Sequence, residues 1–203
     1  MKHDLTKTSL TAYEKQLVAD PQVLLAKNAI IQKVYDLFGG LSEAYKREFT
    51  NHQFSDYINL INPKISRGEN YLGLPYVILD YPRQFSKTDI FAIRSFFWWG
   101  NFFSITLHLS GCYQNQYAHV IENAIDKNVF SGWSLGVGQT QWDHHFEPNN
   151  YVSLSVNKPK ISELTFIKLA KKIPLTEWDK ADTFFIESFL LLMKTLSTHA
   201  PIR

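Results

Sequence analysis

The chain has a single cysteine among 203 residues, Cys112, which excludes an intramolecular disulfide. No lysine or arginine run exceeds two residues, and the formal net charge is only +2. Nucleic-acid binding is therefore disfavoured, since a phosphate-binding surface needs clustered cations. The longest apolar stretch near the C-terminus, Phe189 to Met193, is far short of the roughly 18–20 residues that span a bilayer. The opening MKHDLTKTSLTAYEKQ lacks the apolar run of a signal peptide. These absences set the expectation of a reduced, soluble, cytoplasmic protein without a membrane span.

Catalytic signatures are equally scarce. Gly136-Val137-Gly138 lacks the later glycine and lysine of a P-loop and does not complete a dinucleotide fingerprint. No nucleophile-elbow or cysteine-enzyme pattern surrounds Cys112 or the serines. The glycine-aromatic signature of an RNA-recognition module is missing too. The cofactor is unknown from these residues.

What the chain has in abundance is aromatic surface. Tyr71 to Phe103 holds eleven of thirty aromatic residues, including Phe96-Phe97-Trp98-Trp99 just before Gly100-Asn101. Each fully buried ring contributes roughly 2–3 kcal/mol of apolar burial, which places this segment at the centre of the fold. With 45% hydrophobic residues the chain can bury a substantial core.

Residues 1–62 read as mainly helical. Asp20-Pro21 starts a helix whose stripe is Val23, Ala26, Ile30, Val34 and Leu37, widened by Ile31 and Phe38. Gly39-Gly40 is expected to stop it, with a second helix from Ser42 and a third set at Phe54, Tyr57, Ile58 and Ile61. Tyr76 to Asp80 reads as a buried strand closed by a turn at Tyr81-Pro82. Ile90–Trp99 and Phe102–Ser110 flank a two-residue Gly100-Asn101 turn. That register pairs Trp98 with Phe103, Phe96 with Ile105 and Ala92 with Leu109 on one face. Arg94 opposite Leu107 is the exception on that face; the other face pairs Trp99 with Phe102, Phe97 with Ser104 and Ile93 with His108. A helix over Thr88–Trp99, stopped by Gly100, is the competing reading. Further on, residues 114–126 have helical spacing, 131–141 and 151–156 alternate as strands, and 165–173 suits either state. Thr176 with Asp179 is expected to cap a final helix with the stripe Trp178, Ala181, Phe185, Phe189, Leu192 and Leu196.

Trp142-Asp143-His144-His145 is the most suggestive cluster for chemistry, because imidazole and carboxylate ligate zinc-like metals. Adjacent histidines on a regular strand face opposite ways, so Asp143, His144 and His145 would need a loop and a third partner such as His108 or His119. Asp80, Arg83, Lys87 and Arg94 suit an anion pocket, or simply an ion pair at Asp80.

Together these features predict one α+β domain over residues 1–203. Its mixed or largely antiparallel sheet has five to six strands, with N- and C-terminal helices packed on it. The function expected is a non-catalytic module binding an apolar small molecule or a protein partner. Trp99, Phe102 and His108 would lie on its aromatic second face. The alternative is a metal-assisted or hydrolase-like enzyme using His108, Asp143, His144 or His145.

Overall fold

A computed structural model describes residues 8–52, 61–154 and 160–197. Among these residues there are four α-helices, α1 (Ala12–Ala19), α2 (Pro21–Asn51), α3 (Cys112–Asp126) and α4 (Ala181–Ser197). Its strands are β1 (Lys64–Tyr71), β2 (Leu74–Phe85), β3 (Ile90–Trp98), β4 (Phe102–Ser110), β5 (Ser134–Gly136), β6 (Tyr151–Ser153) and β7 (Phe166–Pro174). The described strands form one seven-stranded sheet in the order β1-β2-β3-β4-β7-β5-β6, with every neighbouring pair antiparallel. The α+β class is as expected; the sheet is larger than the five to six strands predicted.

Asp20 caps α2 by accepting from the Gln22 amide at 2.9 Å, with Pro21 in the first turn where its missing N–H costs nothing. The helix does not stop at Gly39-Gly40. Ile31, Val34, Phe38, Leu41, Tyr45 and Phe49 stay on one buried face across the glycines, and that shared face outweighs about 1 kcal/mol of helix propensity per glycine. Ser42 is a helix-interior residue whose hydroxyl donates back to the Gly39 carbonyl. Of the third predicted helical set, Phe54, Tyr57 and Ile58 lie outside the described residues, and Ile61 is exposed and outside any element.

Tyr81-Pro82 is not a turn but part of β2, with a cis peptide bond between the two residues. The β2–β3 register shifts between Asp80 and Arg83, and this irregularity accommodates a residue that cannot donate to the ladder.

Residues 90–98 are strand, not helix, and the hairpin falls where expected, but its register is one residue off. Trp98 pairs with Phe102, Phe97 with Phe103, Ser95 with Ile105 and Ile93 with Leu107. The loop is therefore three residues, Trp99-Gly100-Asn101, closed by the Asn101 amide on the Trp98 carbonyl, with Gly100 at φ +70°. A one-residue slip turns a whole strand over. Phe91, Ile93, Ser95 and Phe97 thus join Phe103, Ile105, Leu107 and Leu109 facing the helices. Ala92, Arg94, Phe96 and Trp98 join Phe102, Ser104, Thr106 and His108 on the opposite side.

Helices α2, α3 and α4 cover the first face and share one apolar core with it. Ile105 is fully buried there, as its place beside Phe103, Leu107 and Leu109 predicts. Tyr45 stacks on Phe189 at 3.9 Å, and its hydroxyl meets Ser95 at 3.0 Å, so the polar residue on this face is satisfied. The α3 stripe is buried as read, and so is the α4 stripe from Ala181 onward; Trp178 is only half-buried and, like Thr176, sits in a 3₁₀ turn over Leu175–Lys180 that has no side-chain cap.

Among the described residues, no helix packs on the apolar cluster of the opposite face. The 131–141 strand reduces to β5, and residues 137–150 leave the sheet to cross that face as an irregular strap. Gly136 marks the departure: a Cβ there would lie 2.9 Å from the Cβ of Lys168 on the neighbouring strand.

Candidate functional site

Beneath the strap lies a second apolar cluster of Ile78, Phe96, Trp98 and Phe102, with Tyr71, Leu74, Tyr76 and Phe146 around it. Phe146, from the strap, stacks on Tyr151 at 4.6 Å and meets Phe102 edge-on at 5.2 Å. The Lys172 ammonium sits over both the Phe102 and Phe146 rings. Phe102 is consequently buried by the chain's own loop.

Next to this cluster the face is polar. Arg94 donates through Nε and Nη2 to the two Asp80 carboxylate oxygens, at 2.7 and 2.9 Å, a bidentate pair that is mostly buried. Its Nη1 reaches His144 Nε2 at 3.0 Å. A guanidinium only donates, so His144 Nε2 must carry the lone pair and the ring is neutral. Burial and the neighbouring Arg94 and Lys168 charges hold the His144 pKa well below its ordinary value.

The Tyr71 hydroxyl accepts the His144 and His145 amides at 2.6 and 3.1 Å. Its own proton is then directed to His145 Nδ1, 3.1 Å away. His108 Nε2 donates to Gln141 Oε1 at 2.8 Å, and burial pushes its pKa down to about 4. Lys168, 1% exposed, gives its hydrogen bond to the Asp143 carbonyl rather than to a carboxylate. Burial, followed by the Arg94 charge, lowers its pKa to about 7, while Asp143 opposes the shift. The buried Tyr151 hydroxyl faces Thr106 without a well-formed hydrogen bond.

The residues singled out in the sequence are therefore distributed as follows. Asp143, His144 and His145 lie together on the strap, each tied through side chain or backbone to the sheet beneath. His108 lies under the strap with Trp142 edge-on at 5.6 Å, and His119 is exposed on α3. Among the described residues no three His, Cys, Asp or Glu side chains form a group able to hold a metal ion. Asp80 forms the ion pair with Arg94, and Arg94 shares a face with Phe102 and His108 rather than opposing them.

Trp99 does not pair with Phe102. It lies on the helix side, half-buried, beside Phe97 and Trp178. These three, with Ile30, Lys33, Gly100 and Leu175, line a cavity of about 450 Å³. Three of its lining residues are aromatic, and Lys33, the one charged residue in the lining, is exposed. A second cleft of about 500 Å³, lined largely by polar groups, opens at the start of the strap between Thr88, Ser110, Gln141 and Trp142. Lys168, Tyr71 and Gln141 were not singled out from the sequence, and their only signal there was polarity within otherwise strand-like or turn-rich segments.

Cys112 is exposed at the start of α3, where its amide donates to Asp89. Burial and the adjacent Asp89 carboxylate raise its thiol pKa, the opposite of an activated nucleophile. Among the described residues, no helix is long and apolar enough to cross a membrane. Comparison of the chain with protein-family models, curated proteins and solved structures found no match.

Proposed function

We propose that this protein is a non-catalytic binding module whose ligand is a small, apolar, ring-bearing molecule with an acidic group. The ligand lies between Trp99 and Trp178 over Phe97, and its acidic group points to Lys33. The supporting observation is the cavity of about 450 Å³ between two tryptophans that the helices leave partly uncovered. Pockets of this size, with apolar walls and few polar groups, are the usual form of small-molecule sites. Tryptophan faces supply stacking area at little entropic cost.

A hydrolytic or metal-assisted reading would draw instead on His108, Asp143, His144 and His145. The bonds already made by His108 Nε2, His144 Nε2 and His145 Nδ1 favour the binding reading over it. The same holds for Phe102 and His108 as ligand contacts: both are covered, so Trp99 carries the proposal without them.

The test uses the anionic aromatic dye 8-anilinonaphthalene-1-sulfonate. Saturable binding with energy transfer from tryptophan is expected, weakened at least tenfold by Trp99→Ala with the circular dichroism spectrum retained. Lys160→Ala, at an exposed position outside the cavity lining, should bind the dye like the parent chain. Absence of saturable binding, or equal binding by Trp99→Ala and Trp178→Ala, would overturn the proposal.

A further inference from the structure

The N-terminal arm is the part of the fold that its own domain leaves uncovered. Helix α1 has no buried residue, and burial in α2 begins only at Ile31. The intervening surface carries Leu10, Tyr13, Leu17, Val18, Val23, Leu24 and Leu25, all exposed; Val18 is 75%, Tyr13 68% and Leu24 62% accessible. Monomeric proteins seldom leave so many large apolar side chains contiguous and bare.

The arm is nevertheless well specified locally. Thr11 and Glu14 form a reciprocal capping box at the start of α1, and Asp20 caps α2 at the corner. Caps fix where the helices begin but do not hold an eight-residue helix in water, where isolated helices shorter than about 12–15 residues are marginal. Helix α1 therefore needs a surface to pack against, and among the described residues nothing buries any of its side chains. The corner between the helices forms a groove of about 640 Å³ lined by Leu10, Leu17, Val18, Val23 and Leu24.

We propose that this groove is filled by the same arm of a second copy, making an isologous dimer through α1 and the first turns of α2. Two observations select this occupant. Lys27 is paired with Glu69 at 2.5 Å, and the described arm otherwise carries Glu14 and Asp20 against Lys15, so its net charge is small and two copies meet with little repulsion. A lipid surface or a charged peptide would call for a strong excess of one sign, which the described arm lacks. Pairing seven such side chains also covers an area on the order of the roughly 800 Å² that each partner buries in a standard interface. In a two-fold arrangement each groove takes the other's Leu17 and Leu24, so the groove and the side chain that fills it come from one sequence.

The experiment is sedimentation velocity of the full chain over a wide concentration range, with Leu17→Glu/Leu24→Glu as the variant. The parent is expected to dimerise reversibly, and the variant to need at least a hundredfold higher concentration. Both residues are exposed, so the variant's unfolding midpoint, measured where the parent is monomeric, should match the parent's. A parent that stays monomeric throughout overturns the proposal, as does a dimer that survives both glutamates. A monomer that floats with neutral phosphatidylcholine vesicles would do the same and would assign the arm to a membrane surface instead.

Discussion

The two faces of the sheet are covered in opposite ways. On one, three amphipathic helices bury Phe91, Ile93, Phe97, Phe103, Ile105, Leu107 and Leu109 in an apolar core, with Ser95 matched to Tyr45. On the other, an irregular strap is fastened by individual polar bonds at Tyr71, Arg94, His108 and Lys168. Helix cover is non-directional and tolerant, since many contacts share the load. Strap cover is directional: each bond depends on one proton lying on one atom, so it should be sensitive to pH and to single polar substitutions where the helix side is not.

The sharpest way to break that comparison is Asp80→Ala, which leaves the Arg94 guanidinium mostly buried without its carboxylate. Removing one partner of such a pair costs about 3–5 kcal/mol. Urea unfolding should register that loss, and replacing both partners with apolar residues should recover most of it. Ile105→Ala tests the helix side. It should cost about 2–5 kcal/mol, with amide-exchange protection falling across all helices together. Its counterpart Phe146→Ala should cost less and release protection mainly in residues 139–149. Equal, global losses from the two would erase the distinction.

Acid should act on the strap side. The unfolded His108 takes a proton below about 6.5, whereas folded His108 resists it down to about 4. Stability therefore falls as pH drops through that window, by roughly 3 kcal/mol. His108→Gln should flatten the fall. Lys168 has the same sense at the other end: the unfolded amine holds its proton up to about 10.5, the folded one only to about 7. Its contribution to stability consequently rises between those values, and Lys168→Met should remove that rise. The smallest effect, about 1 kcal/mol, is expected from Gly136→Ala, which must push β5 slightly away from Lys168. Thermal melting of both proteins would measure it.

Much of the helix side was legible in the sequence. Its stripes, the Asp20-Pro21 start and the alternation of β4 each carry a phase, because apolar and polar residues separate cleanly there. Strand β3 carries none. Phe96 with Phe97, and Trp98 with Trp99, place large rings on both faces, so the pattern fits either parity. Gly100 serves a two-residue or a three-residue loop equally well. The wrong loop length then moved Arg94 and Trp99 to the wrong sides. Gly39-Gly40 misled for a different reason: local propensity argued for a stop, and burial on both sides of the pair decided otherwise. The strap was illegible because its fastenings are long-range. Tyr71 binds amides 73 and 74 positions later, and no local spacing encodes such a bond.

The strand order has a consequence for the sequence of events in synthesis. The meander from β1 to β4 can assemble as soon as it emerges, but the neighbour of β4 is β7, which follows residues 111–165. All nine residues of β4 are buried in the finished sheet. Until β7 arrives, that strand stands as an open edge, with its outward N–H and C=O groups unpaired and apolar side chains along its length. Such an edge is a template for pairing with any other extended chain. The nascent molecule thus passes through an interval when its most hidden strand is its most adhesive one, and the arrival of Phe166 to Pro174 closes it.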